Sequence, residues 1–234
     1  KVEGYHFDGW YTGQDGTTPA ALTNITTDTV VYAKLTPTTY TIQYDLNGDG
    51  DPTTPTAIAA QSKTHGTATK LSDTVPTREG YTFLGWGTTA TATAASYQPG
   101  DMYSLDQDIT LYAVWQKNTY TITFSSGEGY SLHSTGSMTV AHGDPFVFNL
   151  FVDPAYAQNT PTVYVNTGSI SATNPTLIST SDAPTHDGAK VYQYKLENVT
   201  ANTAINAEVT TNATYTVTFM TGSDVYLTQR VGYN

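Results

Sequence analysis

The feature that most constrains this chain is a short alternating pattern that occurs three times. The segments are YTIQY (40–44), YTITF (120–124) and YTVTF (215–219), in which aromatic or β-branched residues alternate mostly with threonine. A period of two residues is typical of an antiparallel strand with one buried face and one face in water. The recurrence predicts a chain built from repeated β units.

Two further motifs recur in the same order. GYHFDGW (4–10) corresponds to GYTFLGW (80–86), and TDTVVYAKL (27–35) corresponds to DQDITLYAVW (106–115). In GYTFLGW, strict alternation predicts Phe83 and Gly85 on one face and Trp86 on the other, with Gly85 allowing a close neighbour. In DITLYAVW, one apolar face should line the core: Ile109, Leu111, Ala113 and Trp115.

These motifs divide the chain into four segments. Residues 1–38 are the C-terminal half of a repeat, and residues 39–117 are one complete repeat. Residues 118–212 form a longer and different module, and residues 213–234 are the first strands of another repeat. The joints are only a few residues long, which favours a semi-rigid rod over flexibly linked modules.

Composition supports a mainly β fold. Threonine, tyrosine and glycine are prominent, whereas large aliphatic residues are few, and this mixture suits pleated surfaces and turns. No long window has the 3.6-residue apolar period of a helix. AIAAQSKTH (57–65) is compatible with either a short helix or a strand.

Charge and cysteine content exclude several classes of protein. The net charge is −11 with nine Lys and Arg, too few to neutralise the phosphates of a nucleic acid. The chain has no cysteine, so disulfides and thiolate metal sites are excluded. No apolar run is long enough to span a membrane. The low charged fraction, 12%, is common in secreted bacterial proteins.

The order YTIQYDLNG, GYTFLGW, DITLYAVW resembles the Listeria–Bacteroides repeat, the internalin B-type repeat of bacterial surface proteins. The resemblance covers residues 1–35 as a half and residues 40–116 as a whole repeat. It implies a small β-grasp-like unit, sometimes with a short helix. It also implies tandem arrangement on secreted, cell-wall-attached proteins, as stalk and adhesive modules.

Residues 118–212 lack the GYxFxGW motif and look like the immunoglobulin-like β-sandwich modules interspersed with such repeats. Short strands separated by turn residues support a sandwich there. The predicted strands are MTVAH (138–142), FVFNLFV (146–152), TVYVN (162–166), KVYQYKL (190–196) and AINAEV (204–209).

The half-repeats at residues 1–38 and 213–234 would leave strand edges unpaired. We expect this chain to be part of a longer one in which neighbouring segments complete the halves. The alternative is that the C-terminal half of one chain completes the N-terminal half of the next and builds a fibre. Against this alternative, residues 67–76 of the complete repeat have no counterpart at such a junction.

The turn after the first strand carries oxygen ligands at the spacing of a calcium loop. The candidates are Asp45, Asn47, Asp49 and Asp51. The twelfth position would be Thr56, which cannot supply a bidentate carboxylate, and Pro55 stands where a following helix would grow. Asn-Gly is a strong hairpin signal, so a turn is favoured and a weak calcium site is the alternative.

Three tryptophans, Trp10, Trp86 and Trp115, are predicted to be core anchors, and a sugar-stacking platform is the alternative. The 18 tyrosines are too dispersed to define a site, although exposed tyrosines suit contact with glycans or proteins. The histidines follow no zinc motif: His6, His65, His133, His142 and His186. The glutamates could form a glycosidase pair only through tertiary structure: Glu3, Glu79, Glu128, Glu197 and Glu208.

The sequence therefore predicts no catalytic residues, no cofactor and no metal beyond the weak calcium candidate. It predicts a non-catalytic stalk or adhesion segment of a modular protein, extracellular at the bacterial cell surface or cell wall. The alternatives are a self-assembling fibre subunit joined by strand complementation, and a module that binds a glycan or a host or bacterial surface protein. Neither nucleic acid nor a membrane span is expected.

Overall fold

The computed structural model describes residues 2–48, 57–167, 175–182 and 189–232. In this part of the chain all regular structure is β, which confirms the mainly β prediction. The chain divides into two compact units, Lys1–Gln116 and Lys117–Asn234. Among the described residues, no helix has the length and apolar character needed to cross a bilayer. The finer division into four segments stays a prediction.

Eight strands begin in the first unit. They are β1 (Tyr5–Tyr11), β2 (Tyr32–Pro37), β3 (Thr39–Asp45), β4 (Gln61–Thr64), β5 (Thr69–Lys70), β6 (Tyr81–Gly87), β7 (Met102–Tyr103) and β8 (Ile109–Lys117).

Ten strands follow in the second unit. They are β9 (Thr119–Phe124), β10 (Tyr130–Ser134), β11 (Thr139–Ala141), β12 (Phe146–Val152), β13 (Thr162–Thr167), β14 (Thr176–Asp182), β15 (Lys190–Leu196), β16 (Thr203–Glu208), β17 (Thr214–Thr221) and β18 (Asp224–Gly232).

The complete repeat, residues 39–117, is built around a four-stranded sheet in the order β4-β3-β8-β6. β3 pairs antiparallel with β4 and parallel with β8, which is the strand order and central parallel pair of a β-grasp sheet. β5 and β7 form a separate antiparallel pair. We call this segment the whole repeat.

One apolar core fills the whole repeat. Its buried members are Ile42, Tyr44, Leu71, Trp86, Tyr103, Leu111 and Ala113, with Ile109 and Trp115 packed against them. The predicted inward face of β8 is therefore confirmed. The choice between helix and strand for residues 57–65 is settled for Gln61–Thr64, which form β4.

The predicted alternation along GYTFLGW is wrong in one respect. Phe83 and Trp86 pack against each other, with ring centroids 5.1 Å apart, although strict alternation would place them on opposite faces. The physical reason is Gly85, whose φ of 128° is outside the extended region and interrupts the pleat. Its predicted close neighbour is confirmed, because a Cβ there would lie 2.7 Å from the carbonyl oxygen of Tyr97.

Residues 118–212 form a sandwich of two four-stranded sheets, β10-β12-β15-β14 and β11-β9-β16-β13. The five predicted strands correspond to β11, β12, β13, β15 and β16. Side chains of both sheets join one core, including Phe148, Leu150, Tyr194 and Ile205. The sandwich is thus confirmed, and its likeness to the immunoglobulin-like modules stays a prediction.

The two remaining pairs of strands are small antiparallel sheets. β1 and β2 form the N-terminal ribbon, which has a bulge between Phe7 and Gly9. β17 and β18 form the C-terminal hairpin, with a bulge between Phe219 and Met220. Every described residue of the C-terminal hairpin is exposed.

Candidate functional site

The first and last strands of the whole repeat lie side by side and run parallel. The Cα register extends from Ile42 opposite Ile109 to Asp45 opposite Tyr112. Both strands are inner strands of the sheet, since β4 and β6 flank them. The two ends of the module are therefore joined directly by a ladder of backbone hydrogen bonds.

The sandwich repeats this arrangement with different strands. Its first strand, β9, pairs parallel with its last long strand, β16. The register runs from Ile122 opposite Thr203 to Phe124 opposite Ile205. The two modules differ in sequence and in layer structure. In each of them, the entry strand nevertheless pairs in parallel with the exit strand.

A side-chain hydrogen bond extends each of these parallel pairs. In the whole repeat, the backbone N–H of Thr41 donates to Oδ1 of Asp108 over 2.7 Å. In the sandwich, the backbone N–H of Thr121 donates to Oδ1 of Asn202 over 2.9 Å. Asp108 and Asn202 each directly precede the last strand, so they occupy the same place in the two modules.

This geometry determines how each module resists being pulled from its ends. Force applied at the start of β3 and the end of β8 slides the two parallel strands along each other. All hydrogen bonds of the ladder are then loaded together, whereas a hairpin pulled from its adjacent ends opens one bond at a time. We call this pairing of parallel terminal strands the clamp, and we expect its resistance to force to appear as a slower rate of forced unfolding.

An ion pair between a buried lysine and a partly exposed aspartate joins β4 to the loop before β8. Lys63 is fully buried, its ammonium contacts the Asp106 carboxylate, and it lies 5.6 Å from the centre of the Tyr40 ring. Asp106 also accepts hydrogen bonds from the backbone N–H of Gly66, and His65 Nδ1 lies 2.9 Å from its Oδ2. The Lys63 hydrogen bond, followed by that of Gly66 and the charge of His65, lowers the pKa of Asp106.

The described part of the calcium candidate contains a turn closed by a side chain, and the predicted hairpin stays a prediction. Asn47 has a φ of 51°, and its backbone N–H donates to Oδ1 of Asp45 over 2.8 Å. The Asn47 side-chain amide donates to the carbonyl oxygens of Ala90 and Ala113. Asn47 therefore anchors the turn to the rest of the repeat.

The other two calcium candidates, Asp49 and Asp51, lie outside the described residues. Among the described residues, no group of three or more His, Asp or Glu is close enough to hold a metal ion. The weak calcium site stays a prediction.

The tryptophans divide between core and surface. Trp86 is fully buried, and Trp115 packs against the core while its Nε1 donates to the carbonyl oxygen of Leu46. Trp10 is 45% exposed, so the prediction that it is a core anchor is wrong. The reason is that Trp86 packs on Tyr44 of β3, whereas β1 and β2 form a sheet of two strands that has no counterpart of β3.

The N-terminal ribbon carries an exposed apolar face. Phe7 and Trp10 pack edge to face, with centroids 5.4 Å apart, and Leu35 lies opposite Phe7 in the register. Tyr5 contacts the ring of His65 at a centroid distance of 5.5 Å, which joins the ribbon to the whole repeat. The ribbon is therefore held by the whole repeat at one end and exposed along its face.

The histidines and glutamates considered as site residues are dispersed. His6 lies 3.8 Å from Asp8, and His133 packs on Phe151. Nδ1 of His65 lies 3.3 Å from the hydroxyl oxygen of Tyr40, and Nδ1 of His142 lies 3.2 Å from that of Tyr120. Glu128, Glu197 and Glu208 contact Tyr156, Lys195 and Tyr164, respectively. Glu3 and Glu79 lie outside the core, and His186 lies outside the described residues.

The described fold defines a class of protein, a tandem array of small all-β modules. Residues 1–34 and 40–114 match the model of the Listeria–Bacteroides repeat domain. In these two segments the chain is similar to the Listeria–Bacteroides repeat family, as its motifs predicted.

Two relatives that the chain matches are much longer than it is. A protein of Evansella cellulosilytica named "Putative Gly-rich membrane protein" is 28% identical over 137 residues, 54% of this chain and 16% of its own length. Internalin H of Listeria monocytogenes is 32% identical over 120 residues, 50% of this chain and 20% of its own length. The chain thus spans a fifth or less of these relatives. No solved structure matches it.

The family and the internalin match indicate a segment of a surface protein. The parallel clamp was not predicted from the sequence. A signal was available in the two segments NITTDTVVYA (24–33) and NVTANTAINA (198–207), whose similarity links the last strand of a repeat to the last strand of the sandwich.

Proposed function

We propose that this chain is a non-catalytic, force-bearing stalk segment of an extracellular protein at the bacterial cell surface or cell wall. The observation that carries the proposal is the parallel pairing of entry and exit strands in both modules. A stalk transmits tension from one end of each module to the other. In both modules this tension would load the hydrogen bonds between the parallel terminal strands in shear.

The cores support the same role. The ladder of the whole repeat is covered by buried Tyr44, Trp86 and Leu111, and that of the sandwich by Ile122 and Ile205. Buried apolar side chains keep water away from the backbone hydrogen bonds that must break under force. Short joints between modules would transmit tension without slack.

Three surface depressions in the described part of the chain support a non-catalytic role. Depressions of about 290, 370 and 400 Å³ are lined by few titratable residues. The first contains Asp108, which already accepts the hydrogen bond from Thr41, and the second contains Asp144, which pairs with Lys117. Acid–base catalysis requires positioned groups that are available to a substrate.

The direct experiment pulls the whole repeat in two directions. The chain has no cysteine, so pairs of cysteines can serve as attachment points. T39C/Q116C loads β3 and β8 in shear, and T39C/T64C loads β3 and β4 from their adjacent ends. All three side chains are exposed, so the fold should tolerate the changes.

We expect the sheared variant to unfold at a clearly higher force than the unzipped variant when both are pulled at the same speed. Circular dichroism melting of the two variants is the control, because their equilibrium stabilities should match. Equal unfolding forces in the two directions would overturn the proposal.

A second function, contact with a glycan or a surface protein, is favoured by the exposed pair of Phe7 and Trp10. Exposed aromatic faces suit sugar rings and protein partners. A glycan array with the intact chain and with W10A tests this function. Binding that W10A abolishes would support it, and the absence of binding by the intact chain would argue against it.

A further inference from the structure

Lys63 occupies a buried position of the whole repeat that the sandwich fills with valine. Tyr40 of β3 lies opposite Lys63 of β4, and Tyr120 of β9 lies opposite Val140 of β11, so Lys63 and Val140 are equivalent. Lys63 is 0% exposed and Val140 is 8% exposed. Packing at this position therefore does not need a charge, and burying an ammonium there is unfavourable. The lysine must have a role that an apolar side chain cannot fill.

The Asp106 carboxylate can also be replaced in its contact with the backbone. It accepts the N–H of Gly66, which follows β4 in the order Thr-His-Gly. In the sandwich, Gly143 follows β11 in the order Ala-His-Gly, and its N–H donates to the carbonyl oxygen of Val199 over 2.8 Å. A backbone carbonyl can thus satisfy this glycine. Neither the lysine nor the carboxylate is required by the turn in which they meet.

We propose that Lys63 and Asp106 condense into an isopeptide bond, which makes this pair a covalent modification site within the chain. Nζ of Lys63 contacts Oδ1 of Asp106 and donates to the carbonyl oxygen of Thr64 over 3.2 Å. The Lys63 side chain is fully buried. The nitrogen is thus held against the carboxyl group at a place that bulk water does not reach.

The reaction needs no reagent besides the two side chains. A bond forms between Nζ of Lys63 and Cγ of Asp106 while one C–O bond of the carboxyl group breaks. Of the three hydrogens on the ammonium, one remains on the amide nitrogen and two leave with the carboxyl oxygen as water. The positive and the negative charge disappear together. The product is a neutral amide, which is more favourable to bury than a charged pair.

The surroundings of Asp106 suit attack on its carboxyl carbon. The fold holds nitrogen and carbon together, which replaces an encounter in solution. The N–H of Gly66 lies 3.1 and 3.2 Å from the two carboxyl oxygens, so it would stabilise negative charge that develops there during the attack. Nδ1 of His65 lies 2.9 Å from Oδ2, so the ring can pass a proton to the leaving oxygen and recover one from the nitrogen.

The ion pair of the structure is the state from which the bond would form. The Lys63 hydrogen bond lowers the pKa of Asp106, so the carboxyl group is ionised at neutral pH. A carboxylate is a poor electrophile, and the ammonium must first pass a proton to it. Bond formation should therefore be slow and should be visible as a change with time.

Intact-mass spectrometry of the full chain tests the proposal. We expect the mass to fall by that of one water molecule while the chain is incubated in neutral buffer for several days. Trypsin should then fail to cut after Lys63, and a branched peptide should join residues 35–70 to residues 79–117. Lys117 and Asp144 are the internal comparison, because they also pair, over 2.8 Å, but both side chains are exposed. They should stay unlinked.

Two variants remove one reactant each. K63V removes the nitrogen, and Val140 of the sandwich shows that valine packs at the equivalent position. D106A removes the carboxyl group and leaves the lysine in place. Both variants should keep their full mass throughout the incubation, and circular dichroism shows that they are folded while they do so.

The bond would also shorten the length of chain that tension can release. Lys63 and Asp106 are 43 residues apart, and the covalent link would carry the force across that loop. When the whole repeat is stretched through T39C/Q116C, the linked chain should gain less length than the same chain with K63V. The difference should be about 3.5 Å for each residue of the loop.

Three results would overturn the proposal: a parent chain whose mass never falls, a loss of water that persists in K63V or D106A, or a loss that maps to another pair of residues. Equal gains in length for the incubated parent and K63V would overturn it as well. The comparison of the two pulling directions does not depend on the bond, so the stalk proposal can stand or fall alone.

Discussion

At the scale of single residues, Asp106 shows how one carboxylate holds distant parts of the repeat together. It neutralises the fully buried Lys63 and accepts the backbone N–H of Gly66. Sequence reasoning did not find this pair, because periodicity identifies strands and faces but not contacts across 43 residues.

We predict that D106N lowers the melting temperature of the chain, because it leaves a buried ammonium without its counter-charge. The lowered pKa of Asp106 gives stability that is present above the unfolded-state pKa, about 3.9. This stability is lost as the pH falls through the folded-state value. The difference between D106N and the parent should therefore shrink in acid.

The matched control for this prediction is D73N, which removes an exposed ion pair with Lys70 in the same repeat. Exposed pairs contribute little, so its melting temperature should remain near that of the parent. Calorimetry from pH 7 down to about pH 3 measures both variants. A D106N chain as stable as D73N at pH 7 would contradict the role given to the pair of Lys63 and Asp106.

Asn47 permits a second residue-scale prediction. N47A should destabilise the repeat by about 1–3 kcal/mol, because it removes the amide donors to Ala90 and Ala113. It also places alanine at a φ of 51°, in the left-handed region, which the Cβ of alanine disfavours. N47G removes the amide and relieves the backbone, so chemical denaturation should find it more stable than N47A. The reverse order would show that the backbone conformation is unimportant here.

At the scale of elements, two corresponding glycines give a matched comparison. Gly85 and Gly9 both have positive φ, 128° and 146°. A Cβ at Gly85 would lie within 2.7 Å of backbone and side-chain atoms of the neighbouring loop, whereas at Gly9 the nearest atom is 3.6 Å away. We expect G85A to lose about 2 kcal/mol or more and G9A to lose clearly less. Urea titrations that give equal losses would contradict the role given to the close neighbours of Gly85.

The elements also show where sequence reasoning succeeds and where it ends. Alternation predicted β3 and β9 as strands and also predicted the inner face of β8, because a period of two is a local property. It did not predict that β3 pairs with β8 in parallel, since pairing partners are decided by the whole core. Trp10 was misplaced for the same reason, because its motif is that of a buried tryptophan and its exposure depends on which strands surround it.

At the scale of the whole molecule, we expect the modules to differ in their resistance to force. The whole repeat and the sandwich each close with a parallel pair of terminal strands. The C-terminal hairpin has adjacent ends, at Thr214 and Gly232, so it should open first and at low force. Resistance to tension is thus concentrated in two modules.

The most direct test of the central claim is to stretch the full chain from its two ends in a single-molecule force experiment. We expect two separate unfolding steps at high force, each gaining about 3.5 Å for every residue released. The longer step belongs to the sandwich and the shorter to the whole repeat. A smooth extension at low force without steps, or one step that releases both modules together, would contradict it.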